Sequence, residues 1–325
     1  MSLSTLFHPE RFQGNLNRKK YFEGWYFKQV SVARDHVLAI IPGVSLAGNR
    51  HAFIQIIDGI SGFTEYLEYP LSDFQAQKDR MEVRIGENLF TNHSMDLNVQ
   101  KGHVRLSGHL DFHNTVPWPS SRFTPGIMGW YGFVPRMECY HGVVSLDHDI
   151  SGRLSYLDQT LNFTGGRGYI EKDWGTSMPE SWIWMHANTF ETPGTSIMLS
   201  VAKIPWLGSF FVGFLCFVLH EGTLYRFMTY NRSRITSLKA DPPAIDLEFA
   251  NRHHTISIRA RQKKAGKLKA PVKGIMERYI KESIDSEVHI TLKSKDGSVI
   301  LDGSADKVGL ELVGNLEELI NFATR

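Results

Sequence analysis

Glu171, Lys172 and Asp173 stand side by side in the stretch GYIEKDWGTSMPESWIWMHANTF, Gly168 to Phe190, and His186 follows within it. Carboxylates, an ammonium and an imidazole are groups that move protons, so general acid–base chemistry is what this stretch is equipped for. Three of the seven tryptophans, Trp174, Trp182 and Trp184, lie among them. Read as a strand, the second half sends Trp182, Trp184, His186, Asn188 and Phe190 to one face and Ile183, Met185, Ala187 and Thr189 to the other. The second face is ordinary packing. The first combines large aromatic surfaces with two polar heads, which suits either the wall of a pocket for an apolar ligand or a core in which His186 and Asn188 find buried partners. Alternation also puts Glu171 and Asp173 on one face and Lys172 on the other. The rival role for these three is an ion-paired turn that locks two strands together.

Two earlier stretches carry further polar groups among aromatics. KKYFEGWYFKQVSV is a strand by propensity, with Tyr21, Glu23, Trp25 and Phe27 on one side and Tyr26 on the other. An acid sharing a face with three aromatics is either a paired structural carboxylate or a group held in a ligand cavity. MECYHG brings Glu138 and His141, which three-residue spacing places on opposite sides of a strand. No HExxH motif or His/Cys cluster completes a metal site, so no metal is expected. GGRG at 165–168 lacks the GKS or GKT ending of a phosphate loop and reads as a turn.

The elements that must position these residues are strands. Period-two alternation dominates the first half, from HVLAIIPGVSL and HAFIQIID to KGHVRLSGHLDFHN, with an irregular lead-in up to about Asn17. Thr115 to Glu138, rich in proline, glycine and aromatics, reads as a long ordered loop of the kind that serves as a lid or binding element. Beyond Phe190 more hairpins follow, including a continuous apolar run at 210–219 that suggests a strand buried on both faces. The lysine cluster at 263–273 reads as a solvated loop, with contact to an anionic membrane surface as its functional rival. NLEELINF closes the chain as a short helix capped by Asn315. Two successive β-meanders imply two barrel-like or sandwich-like halves, divided here at 1–150 and 151–325.

Composition narrows the partners. The 325 residues carry 36 basic against 34 acidic side chains, a formal charge of +2 that is too balanced to point to nucleic acid. Cys139 and Cys216 sit in apolar surroundings outside any metal-type spacing and read as buried free thiols. The amino-terminal residues lack the pattern of a secretory signal, and the longest apolar run is shorter than the roughly 20 residues a spanning helix needs. A cytoplasmic location is expected.

GYIEKDWGTSMPESWIWMHANTF, KKYFEGWYFKQV and FVPRMECYHG together resemble the tocopherol cyclase-like proteins, with the EKDWG element as the specific part and the likeness extending from about Lys20 to Leu316. The resemblance implies an all-β fold of two lipocalin-like, calycin-type antiparallel barrels or sandwiches, each able to enclose an apolar ligand, with a short C-terminal helix. It also implies cofactor-independent closure of a chromanol ring: an acid protonates the alkene of a prenylated hydroquinone, and the phenol oxygen captures the cation. The residue types match, with Glu171 and Asp173 as acids, Lys172 as their charge partner, His186 as a phenol partner, and Trp174, Trp182 and Trp184 as walls that favour positive charge. Asn188, Glu23, Trp25, Tyr26 and Glu138 complete the expected substrate-binding set. The chain departs from the plant pattern at His186-Ala187 and lacks a plastid transit peptide, which leaves open a non-catalytic carrier of isoprenoid lipids and a hydratase that uses water in place of the phenol.

Overall fold

The computed structural model describes residues 6–323, and residues 1–5 of the expected lead-in lie outside them. The described chain is built of antiparallel strands with a short helix at its C-terminal end. In the first sheet the strands are β1 Phe22–Val30, β2 Val37–Ser45, β3 His51–Asp58, β4 Phe63–Pro70, β5 Phe74–Ala76, β6 Glu82–Ile85, β7 Asn88–Thr91, β8 Ser94–Lys101, β9 Val104–His113, β10 Cys139–Tyr156, β11 Gln159–Asn162 and β12 Gly166–Gly175. The second sheet holds β13 Trp182–Ala187, β14 Ser196–Trp206, β15 Ser209–His220, β16 Thr223–Met228, β17 Arg234–Asp241, β18 Ala244–Ala250, β19 His254–Arg261, β20 Gly266–Val272, β21 Ile275–Ser294 and β22 Val299–Val313. Helix α1, Leu316–Ala323, follows, and Asn315 Oδ1 accepts the backbone N–H of Glu318 at 3.0 Å as its cap.

Each sheet is a meander completed by a late strand. In the first, β12 lies between β1 and β10, and in the second β22 lies between β13 and β21. One face of each sheet buries its own apolar core, with Trp25, Phe27, Ile170 and Trp174 among the first and Ile183, Met185, Ala187 and Phe190 among the second. These are two lipocalin-like β units with a short terminal helix, the fold class expected from the sequence.

Three expectations need correction. The division falls at Met178/Pro179 rather than 150/151, and Leu268–Tyr279 also belongs to the first unit. The reason is β12, which pairs along its length with β1 and β10 and so carries residues up to 175 into the first sheet. The basic segment 263–273 is largely strand β20, whose sequence GKLKAPV alternates lysines outward with buried Leu268 and Ala270. The continuous apolar run in β15 is buried on both faces only from Cys216 onward. The long loop at 115–138 is ordered as expected, with a 3₁₀ turn at Gly129–Phe133 and backbone bonds from Val116 to Asp147 and from Leu146 to Val116.

Inside the first core a lysine is fully buried. Lys172 Nζ lies 2.6 Å from Glu23 Oε1, with neither side chain exposed, and 4.7 and 4.8 Å from the ring centres of Trp25 and Trp174. Burial pushes the Lys172 ammonium down, against the pull of Glu23. Its remaining protons go to the carbonyls of Pro9 and Arg11. Glu23 also accepts the backbone N–H groups of Gln13 and Gly14 and the hydroxyl of Tyr21. Trp25 Nε1 donates to Glu10 O at 2.9 Å. The irregular lead-in, residues 8–14, is therefore held by the same buried pair, and its Phe12 enters the core. Removing one member of a buried pair strands the other charge, which costs about 3–5 kcal/mol. Lys172→Met is expected to lower unfolding stability by about that amount in a guanidinium titration, and Lys172→Met with Glu23→Gln to recover part of the loss.

Candidate active site

The polar residues of β12 divide between its two faces. Lys172, Ile170 and Trp174 enter the core, while Tyr169, Glu171 and Asp173 point out from the other face. Register then selects their neighbours. On β10, His141 lies opposite Asp173 and Val143 opposite Glu171; on β1, Gly24 lies opposite Asp173 and Tyr26 opposite Glu171. His141 thus sits between two carboxylates. Its Nδ1 is 2.9 Å from Asp173 Oδ1 in a hydrogen bond, and its Nε2 is 3.5 Å from Glu171 Oε2, an ion-pair distance without hydrogen-bond geometry. The Tyr169 hydroxyl donates to Glu171 Oε2 at 2.6 Å.

Access to the three groups is graded. The Asp173 side chain is 25% exposed, that of His141 13% and that of Glu171 6%. Next to Asp173 the row runs Gly24, Gly43, Phe53 across β1, β2 and β3. The Phe53 ring lies over the two glycines, so closely that a Cβ on Gly43 would meet it at 2.4 Å. The space of two missing side chains is therefore filled by the buried Phe53 ring, in the same row as the carboxylate. From the loop at 115–138, Met128 packs its sulfur 3.1 Å from the His141 backbone N–H. Cys139 Sγ lies 3.9 Å from Asp173 Oδ1, and burial, with the charges of Asp173 and Glu138, raises its thiol well above the ordinary range. A protonated thiol there is a weak donor, not a nucleophile.

Burial by itself would push the His141 imidazole down, but the charges of Glu171 and Asp173 and the Asp173 hydrogen bond outweigh it and raise it to about 9. At neutral pH His141 is an imidazolium between two carboxylates. The three side chains offer one ligand atom each within 4.8 Å of one another, a donor set that suits a divalent ion. A protonated His141 has no nitrogen lone pair to give, so a metal would have to displace its proton first.

The remaining expected site residues fall elsewhere. Trp25 and Trp174 face the Lys172 ammonium and not open space, and Glu23 is that ammonium's partner. Tyr26 is buried beside Glu171 on the outer face. Glu138 contributes its carbonyl, which accepts the N–H groups of Thr176 and Ser177 and ties the start of β10 to the end of β12. His186, Trp182 and Trp184 belong to the second unit, on the face of β13 opposite Ile183 and Met185, as alternation predicts. His186 is buried with Nε2 3.4 Å from Ser196 Oγ, Trp182 donates from Nε1 to Glu311 Oε2, and Asn188 is buried just past the strand. Sequence reasoning missed the pairing of His141 with Asp173. The candidate partner was visible as a histidine, but only register joins residues 32 positions apart.

The tocopherol cyclase-like family model matches residues 109–314, which include β10, β12 and the whole His141–Glu171–Asp173 group. This chain belongs to that family. No curated protein sequence matches this tocopherol cyclase-like chain. Among solved structures it is similar to an AttH-type protein from Nitrosomonas europaea, at 11% identity over 94% of this chain and 96% of that one with a TM-score of 0.52. It is also similar to CghA, at 10% identity over 91% and 89% of the two chains with a TM-score of 0.58, and to CghA with Sch210972, with a TM-score of 0.57. At these identities the likeness is one of fold. No helix among the described residues is long and apolar enough to cross a membrane.

The raised imidazole has a consequence for stability. An unfolded histidine titrates near 6.5 and folded His141 near 9, so the folded chain binds this proton more tightly. The stabilisation is fully present below pH 6.5 and is lost as pH rises through about 9, to the extent of ~3 kcal/mol. In urea titrations the stability gap between the native protein and His141→Gln is expected to be widest near pH 6 and to shrink by pH 10.

Proposed function

We propose that this chain is a cofactor-independent cyclase, which protonates the alkene of a prenylated hydroquinone and closes a chromanol ring. The observation that carries this reading is the His141–Asp173 hydrogen bond, with the charged imidazolium behind a carboxylate that still reaches the surface. Asp173 takes the Nδ1 proton of His141 and delivers it, as a carboxylic acid, to the less substituted alkene carbon. The tertiary cation that results is captured by the phenol oxygen. The phenol proton then returns through Asp173 to His141, so the reaction is an isomerisation that begins and ends with the same protonation state. Glu171, held by Tyr169, keeps the imidazolium charged between turnovers. Phe53 and Tyr26, both buried, make the packing beside the acid aromatic.

Family membership supports the reaction class, and the geometry supports Asp173 in preference to Glu171 as the delivering acid because it is the more exposed of the two. His186, buried against Ser196, has no place in this scheme. Purified protein incubated with a reduced prenylated hydroquinone is expected to form the chromanol isomer, separable by retention time. Asp173→Asn and His141→Gln are each expected to lower kcat by ~10² or more while tryptophan fluorescence still reports binding. The rate should fall as pH rises through about 9, where His141 loses its proton. A product heavier by one water would assign a hydratase instead, and saturable binding without conversion a carrier.

A further inference from the structure

Strands β14 and β15 run on past both of their neighbours in the second sheet. Strand β13 pairs with β14 only as far as Ala202, and β16 pairs with β15 only from Leu215. Beyond these points Lys203–Trp206 pairs in register with Ser209–Val212, and Lys203 N–H makes the last backbone bond toward β13, to Ser181 O. A two-residue turn closes the hairpin, with Leu207 and Gly208 both at positive φ as a tight turn of this kind requires. At roughly 3.4 Å per residue, the overhang is about 15 Å long.

The chemistry of this overhang is unlike the rest of the surface. From Ile204 to Phe214 the sequence IPWLGSFFVGF contains no charged residue. Leu207 at the apex is 92% exposed. Trp206 and Phe211 lie edge to face at 6.0 Å, and Phe210 does the same at 4.7 Å with Phe322 of α1, itself 41% exposed. A basic rim stands at its base. Thr229 Oγ1 bonds both backbone groups of Phe214, fixing the end of β16 against β15, and the exposed Arg226, Arg232 and Arg234 flank that turn in the chain. None of the three arginines forms an ion pair with a carboxylate among the described residues. Lys203, by contrast, is held by Glu180 and Glu318.

We propose that the β14–β15 hairpin is a membrane-docking element, whose apex enters the interfacial layer of a bilayer while Arg226, Arg232 and Arg234 meet anionic headgroups. A convex, uncharged tip with Trp and Phe on its flanks and Leu at its apex suits a lipid interface, where aromatic residues anchor and no complementary shape is needed. Among the described residues no third strand flanks Ile204–Trp206 or Ser209–Phe211, and a two-stranded ribbon is not a closed barrel, so it does not insert deeply into hydrocarbon. Entry is limited to about 5–10 Å. The basic segment at 263–273, singled out by sequence for such a contact, places Lys263 against Glu287 and Lys269 against Glu68. This goes beyond the proposed chemistry and does not depend on it.

The test is co-sedimentation of the full chain with phosphatidylcholine vesicles, with and without phosphatidylserine. The native protein is expected to sediment with the anionic vesicles and to be released in part as salt is raised, since only the arginine contribution is screened. Leu207→Asp, at a position too exposed to matter for folding, is expected to weaken partitioning about tenfold or more with an unchanged thermal melt. Replacing Arg226, Arg232 and Arg234 by Ser is expected to remove the preference for anionic over neutral vesicles. Native protein that stays in the supernatant with both vesicles, or Leu207→Asp that binds as well as native, overturns the proposal. So does light scattering that shows a dimer for the native chain and a monomer for Leu207→Asp, which would make the hairpin an interface between two copies.

Discussion

A lysine buried without any exposure must be neutralised from every side, and the first unit is organised around doing so for Lys172. Taking an ammonium and a carboxylate out of water costs several kcal/mol per ion, and their attraction offsets this only when the remaining hydrogen-bonding capacity is also met. Glu23 supplies the counter-charge, Pro9 and Arg11 the carbonyls, and Trp25 and Trp174 the two aromatic faces. These contacts lie on β1, β12 and the lead-in, so the pair fixes the register of β1 against β12 and closes the lead-in over the core. Polar groups among aromatics, which could serve a ligand, here serve the chain's own backbone.

The outer face follows from the same register. With Lys172 inward, Glu171 and Asp173 must point outward, and β10 sets His141 between them. The contrast with His148 on the same strand shows what decides the charge of a buried imidazole. His148 bonds Ser145 through Nδ1, packs against Phe112 and over Gly168, and is pushed down to about 3 by burial. His141 is also buried but faces two carboxylates, and ends near 9. Both are desolvated; only one has an anionic partner close enough to overcome it. The two lie an odd number of residues apart, and the two register shifts between them cancel, so alternation presents the charged histidine outward and the neutral one inward.

The second unit repeats the construction of a meander completed by a late strand. Its core is apolar throughout β13, β14 and β15, and the polar residues of β13 lie on the face turned away from that core. Where β14 and β15 leave their neighbours, the same apolar composition that fills a core is exposed at a tip. The proposed acid chemistry on an apolar molecule and the proposed lipid-docking tip are compatible with one another, since such molecules reside in bilayers.

What the sequence determined by itself is what the pleat of a single strand determines. The faces of β1, β12 and β13, the opposition of Lys172 to Glu171 and Asp173, the Asn315 cap and the family likeness of EKDWG were all legible, because each depends on residues close together in the chain. Tertiary structure alone decided which strands became neighbours. β12 joined β1 across more than a hundred residues and so moved the unit boundary to 178/179, and alternating lysines at 263–273 became a strand because β21 was there to pair with them. His141 became the partner of Asp173, and Trp25 and Trp174 the cage of Lys172, for the same reason. Alternation says which way a side chain points, but its partner is chosen by register, and register is set by how the whole sheet closes around its core.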